Sequence, residues 1–325
     1  MRLIVGAAIG GLLLIFFAIG FYWSSEPERF NVLERAQAQA EADGVQVVVG
    51  YTTTNTLIEV ANTLLVKRGG YISNDMMPPG VMLDNIANWE FGVLVQVRDL
   101  ARALRKDFSR SQSQSREDPD LALAEPELHF DSQSWMFPSS EHEYETGLTS
   151  LRRYQKRLAD PISSDAQFYA RADNLRNWFG DIETRLGSLS QRLSASVGSK
   201  RLNTDLAGES VAEQSTPTGE EVTVKTPWSE VDDVFYEARG STWALLHMLR
   251  AVEVDFAQTL QRKNALVSLR QIIRELEGAQ QELSSPVILN GSGFGLFANH
   301  SLVMASYIAR ANAAMIDLRE LLSQG

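Results

Sequence analysis

Three features of this 325-residue sequence predict an all-α fold: an N-terminal transmembrane helix, then a soluble multi-helix bundle with a long disordered loop. The first is Leu3–Trp23, LIVGAAIGGLLLIFFAIGFYW, an apolar run without a charge. The second is a series of long stretches whose apolar residues recur in alternating steps of 3 and 4, the period of bundled helices. The third is the scarcity of the apolar–polar alternation that marks strands.

At about 1.5 Å per residue the first run reaches roughly 30 Å, the thickness of a bilayer's hydrocarbon core. A secretory signal has a shorter apolar region and a small-residue exit. Here Phe16, Phe17, Phe21, Tyr22 and Trp23 stand where that exit would be, so residues 1–25 read as an uncleaved signal-anchor. Tyr22 and Trp23 suit the far interface, where amphipathic rings settle at headgroup level. Arg2 precedes the run, and Glu26, Glu28 and Glu34 outnumber Arg29 and Arg35 after it. Positive-inside counting then places the N-terminus in the cytoplasm and the bulk of the chain across the membrane. Gly6 and Gly10 form a G-x-x-x-G pair that suits a homodimer through the membrane helix. The alternative is the ordinary glycine content of such helices.

The net charge is −11, which argues against nucleic acid and against anionic membrane surfaces as main ligands, because both select basic patches. There is no cysteine, so no disulfide framework, thiolate metal site or cysteine nucleophile exists.

Along the soluble part, Pro27–Asp43 reads as a polar helix closed by Gly44, and Val45–Val49 as a strand or an extended connector. Thr52–Thr54 offers an N-cap for a helix through Lys67, with Leu57, Ile58, Ala61, Leu64 and Leu65 on its apolar face. Lys67 and Arg68 complement its C-terminal dipole, and Gly69-Gly70 stops it. After a loop, Leu94, Val97, Ala101, Leu104 and Phe108 mark the next helix. Glu117–Ser140 reads as irregular, because it holds Pro119, Pro126 and Pro138. Ser139 or Ser140 starts a helix through Leu158. Ser163-Ser164 caps another, whose seam is Phe168, Ala172, Leu175, Phe179, Ile182, Leu186, Leu189 and Leu193. Ala195–Pro227 lacks aromatics and is rich in Ser, Thr, Gly and Glu, so it reads as a disordered or long surface loop. From Trp228 the 3, 4 alternation runs through Val231, Phe235, Ala238, Thr242, Leu245, Leu249, Val252 and Phe256. Gly240 inside it marks a close contact or a kink. After a break near Lys263-Asn264 the style resumes to Leu283, ended by Ser284-Ser285-Pro286. Met304, Ile308, Ala311, Met315, Leu318 and Leu322 mark the last helix. The organisation is an anchor (1–25), a helical first half (26–194), a flexible stretch (195–227) and a helical second half (228–325), as one bundle or two.

Two stretches carry a family resemblance. They are YTTTNTLIEVANTLLVKRGGYISNDMMPPGVMLDN (Tyr51–Asn85), running into Asn88–Ser115, and ILNGSGFGLFANHSLVMASYIARANAA (Ile288–Ala314). The chain resembles, over nearly its whole length, a domain-of-unknown-function family of anchored proteins from Gram-negative bacteria. The resemblance implies an inner-membrane protein facing the periplasm. It implies no activity and supplies no catalytic residue.

The histidines are His129, His142, His247 and His300, and no H-E-x-x-H or Glu-x-x-His motif includes them. His129, Asp131, Glu141, His142 and Glu143 are the best metal candidates, but their spacing matches no coordination motif, so a solvated acidic loop is preferred and neither metal nor cofactor is expected. Ser292 in GSGFG resembles part of a phosphate loop, but it lacks the lysine and the strand context. A turn begun by Asn290-Gly291 is the plainer reading. The most information-dense stretch is Tyr71–Glu90, with Asn74, Asp75, Met76, Met77, Asp84, Asn85, Trp89 and Glu90 as a candidate interaction loop between two helices. The alternative is a connection whose methionines and Trp89 plug the bundle.

These observations favour a single-pass inner-membrane protein with an acidic periplasmic helical domain, acting as a scaffold or adaptor for an envelope protein partner. The alternatives are an anchored envelope hydrolase or lytic enzyme working through a carboxylate pair, and a lipid-binding helical domain.

Overall fold

A computed structural model describes residues 2–111, 116–162, 165–202, 221–285, 287–293 and 295–324. Among them are an apolar helix α1 (Arg2–Trp23) and ten further α-helices. These are α2 (Val32–Asp43), α3 (Tyr51–Val66), α4 (Asp84–Ala103), α5 (Pro119–Leu128) and α6 (Ser140–Leu158), then α7 (Ala172–Ser194), α8 (Val231–Asp255), α9 (Ala257–Arg262), α10 (Leu266–Ala279) and α11 (His300–Ser323). The fold is all-α. A short antiparallel pair, β1 (Ser199–Leu202) and β2 (Glu221–Val224), joins the two ends of the stretch read as a disordered loop. Its middle, 203–220, lies outside the described residues, as does the expected Ser163-Ser164 cap.

Helix α8 is the central element. It crosses α4, with α3 and α10 also against it, while α7 packs on α11 and α5 on α6. The seam residues of α4, α8 and α11 are buried in one core, among them Leu94, Val97, Leu245, Leu249, Ile308 and Met315. That core is closed by the buried rings of Trp89, Trp178, Trp243, Phe108 and Phe256. The α4–α8 crossing depends on small residues. A Cβ at Gly240 would stand 1.9 Å from the Trp89 carbonyl oxygen, and one at Gly92 would stand 2.0 Å from that of Glu237. Gly240 therefore marks a backbone-to-backbone approach.

Local corrections have physical causes. The first soluble helix begins at Val32, not Pro27. Asn31 caps it by accepting from the Leu33 and Glu34 amides, and Gly44 ends it in the left-handed region. Helix α3 begins after Gly50, and Thr52–Thr54 lie inside it, buried. The segment read as irregular holds α5: Pro119 occupies the first turn, where no amide hydrogen is needed, and Asp118 caps it. Helix α7 starts at Ala172, after Phe168, whose ring instead packs on Phe108 and Phe256. Helix α8 starts at Val231 after a 3₁₀ turn and leaves Trp228 exposed. Helix α10 ends at Ala279, before Leu283. Ser139 caps α6, and the break after α9 falls at Asn264, where φ is 52°.

Candidate functional site

The residues from Ile4 to Trp23 make a helix long and apolar enough to cross a membrane. Gly6 and Gly10 lie on an open face of it. The chain leaving this helix is fastened to the bundle. The Glu26 carboxylate accepts from Arg239, at 2.7 and 3.0 Å from Nε and 2.6 Å from Nη2, and Arg239 also donates to the Gln281 carbonyl at 2.9 Å. The Phe30 amide donates to His247 Nε2 at 3.1 Å, and the two rings stack at 4.1 Å. His247 Nδ1 lies 2.7 Å from the Trp243 carbonyl, which assigns the proton to Nδ1 and leaves Nε2 as the acceptor. Burial drives the His247 pKa down to about 4, keeping it in this neutral form. Arg68 adds a third fastening, its guanidinium over the Tyr22 ring and bonded to Ser25. Between α1 and α2 the strap Ser24–Phe30 runs outside helical geometry.

The candidate loop Tyr71–Glu90 lies beside the strap. Its residues do not share one surface. Glu90 is buried, 2.6 Å from Lys67 Nζ, and accepts from the Ile72 and Ser73 amides and the Ser73 hydroxyl. Burial pushes its carboxyl up, and Lys67 opposes that shift. Trp89 is buried, its ring 5.2 Å from that of Trp243. Asn74 is buried and donates to the Ser134 carbonyl and to Glu141, both at 2.8 Å. Asp75 is half-buried, and burial followed by the nearby Glu141 raises its carboxyl. Asn85 is half-buried, while Met76, Met77 and Asp84 are exposed. Trp89 stands in the α4 seam with Ile86 and Val93, a spacing visible in the sequence. The Glu90–Lys67 pair has no such signal.

Two clefts flank Arg239. One, of about 1090 Å³, is lined by Glu26, Arg29, Arg250, Glu253, Glu277 and Glu282. Three of its carboxylates are already paired: Glu26 with Arg239, Glu277 with Arg250 and Glu253 with Arg270. The other, of about 410 Å³, is mostly apolar and is lined by Phe235, Leu283, Leu289, Val303, Met304 and Tyr307. The Tyr307 ring lies on Gly278, where a Cβ would be 2.3 Å from it. The loop containing Asn290-Gly291 borders this cleft. Asn299 pins it by donating to the Gly291 carbonyl at 2.7 Å and to Asn290 at 2.9 Å, and by capping α11 at Leu302. Val287, Leu296 and Phe297 on the same loop are exposed. Sequence reading assigned Met304 and Phe235 to helix seams and singled out neither Tyr307 nor this cleft.

The histidine-rich segment does not assemble a centre. His129 contacts the Glu125 carbonyl and Arg102, and Glu141 is taken by Asn74. Among the described residues no group of three or more histidine, aspartate or glutamate side chains is placed to hold a metal ion.

No curated protein and no solved structure matches the chain. A family described as an uncharacterized protein conserved in bacteria, DUF2333, matches residues 1–325, and the chain belongs to that family.

Proposed function

We propose that the protein is a single-pass inner-membrane scaffold, with its N-terminus in the cytoplasm and its helical domain in the periplasm. In this reading the domain captures an apolar segment of an envelope protein in the cleft between α8, α10 and α11. The observation that carries it is the pairing of that cleft with Val287, Leu296 and Phe297 exposed on its bordering loop. An apolar hollow with exposed apolar residues beside it is how a partner's anchoring side chains are taken. The Arg239–Glu26 and His247–Phe30 fastenings would hold this surface at a fixed height above the bilayer. The arginine pairing of Glu26, Glu253 and Glu277 in the neighbouring cleft weighs against a carboxylate-based hydrolase there.

Two measurements test the reading. Alkaline phosphatase fused after Gly325 is expected to be active, and an inactive phosphatase with a fluorescent cytoplasmic reporter at the same place would end the envelope assignment. A photocrosslinking residue at the half-exposed Val303 is expected to give a discrete adduct in cells, while one at Val267, at the start of α10, gives none. Equal adducts at both positions would remove the cleft from consideration.

A further inference from the structure

Two neighbouring loops, the first of them packed against the end of α1, carry a group of exposed apolar residues. The first runs from Met76 to Leu83 and the second from Gln133 to Ser140, and neither stretch contains a charged residue. Met77 is 76% exposed and Phe137 93%, and Met76, Val81, Met82, Trp135 and Met136 are exposed with them. The loops are neighbours. Asn74 donates to the Ser134 carbonyl, and the Tyr71 hydroxyl donates to the Ser132 carbonyl at 3.1 Å. The second loop is held in place by the Ser140 hydroxyl, which bonds the Asp131 carbonyl, and by the Ser134 hydroxyl, which bonds the Pro138 carbonyl. Phe137 is displayed from this held loop with φ at 38°, a region bulky residues rarely adopt.

The position of the first loop along α1 identifies what covers these residues. The Trp23 ring packs on Gly69, but Pro79 and Leu83 reach further back and bury Gly20. Gly20 lies about 4.5 Å deeper along the helix axis than Trp23. If Tyr22 and Trp23 mark the headgroup level, the first loop lies at or below that level, beside the apolar part of the span. We propose that these two loops form a second membrane contact, in which Met76, Met77, Val81, Met82, Trp135 and Phe137 enter the headgroup–acyl boundary of the leaflet around the exit of α1. Methionine and aromatic side chains suit that boundary, and it is continuous with the anchor. The contact rests on the reading of α1 as a membrane span. Together with the span it would fix the tilt of the bundle as well as its height.

The chain has no cysteine, so single reporters can be placed in the full-length protein. Leu13→Cys, Val81→Cys, Met136→Cys and Val267→Cys, each carrying an environment-sensitive fluorophore, would be reconstituted into phosphatidylcholine vesicles. Doxyl-labelled phosphatidylcholine serves as the quencher. The labels at Val81 and Met136 are expected to be quenched several-fold more than the label at Val267. Adding Met77→Asp with Phe137→Asp is expected to remove that excess. These residues are exposed, and an unchanged circular dichroism spectrum checks the fold. Quenching at Leu13 with Val81 and Met136 reading like Val267 would overturn the second contact and leave the anchor. Quenching that survives the double substitution would also overturn it, since the label alone would then be responsible. An unquenched label at Leu13 would bring down the span, and the contact with it.

Discussion

At the C-terminal end of α3 the buried Glu90 carboxylate meets a cation, Lys67, at 2.6 Å and takes donors from Ile72 and Ser73. At the N-terminal end the buried Asp255 carboxylate comes from α8. It takes the Thr53 amide and hydroxyl, both at 2.7 Å, and no described cation lies within ion-pair distance. Asp255 thereby satisfies one of the amides that a helix start leaves open, a task that sequence reading gave to the threonines themselves. Burial pushes the Asp255 carboxyl up to about 6. The comparison shows two answers to one cost: a charge buried with its counter-ion, and a charge that can be discharged by a proton within the accessible pH range.

The sharpest way to break the comparison is Lys67→Met, which strands Glu90. Removing one partner of a buried pair costs about 3–5 kcal/mol, so denaturant midpoints should fall steeply. The double variant Lys67→Met, Glu90→Met should recover much of that loss, as coupled neighbours do. A loss equal to the sum of the single losses would show that the pair acts as two independent groups.

The next effect is in the pH dependence, where Asp255 is opposed by His247. Asp255 has a raised pKa in the fold, so its contribution is fully present below its unfolded value near 3.8 and is lost as pH rises through about 6. His247 has a lowered pKa, so its contribution is present above its unfolded value near 6.5 and is lost as pH falls through about 4. Between these limits each group changes stability by about 1.4 kcal/mol per pH unit, with opposite signs. The two slopes nearly cancel. Asp255→Asn should expose an acid-side loss of about 3 kcal/mol between pH 6.5 and 4, and His247→Gln should expose a gain over the same interval. Denaturant melts across that range decide it, and two variants with the same pH slope as the parent would contradict the assignment.

The smallest effect sharpens the N-terminal end alone. Thr53→Val keeps the amide bond to Asp255 and removes the hydroxyl bond, at a cost of about 1 kcal/mol. It should also raise the Asp255 pKa further, because one of the bonds that holds it down is gone. Nuclear magnetic resonance titration of the Asp255 carboxyl would read the direction.

How far the sequence could be read follows the range of the signal. The seams of α4, α8 and α11 are local patterns, and apart from Trp228, which stands exposed before α8, their members are buried as read. The stop at Gly44 and the break at Asn264 are equally local, because each rests on one residue's backbone freedom. Helix α5 was hidden by Pro119 and Pro126, although a proline in the first turn is compatible with a helix. In the candidate loop, composition located the segment but could not say which way each side chain points. Trp89 and Glu90 turn into the core, while Met76 and Met77 turn out.

By itself the sequence determined the apolar span, the all-α class and the buried faces of α4, α8 and α11, because periodicity and apolar length act within one segment. Only the tertiary structure decided that Arg239 holds Glu26, that His247 holds Phe30, that Lys67 neutralises Glu90, that Asn74 meets Ser134, and that Pro79 and Leu83 close over Gly20. Those contacts join residues from separate elements. A charge or a ring carries no mark in the chain of the partner it will meet, and folding alone brings the two within reach.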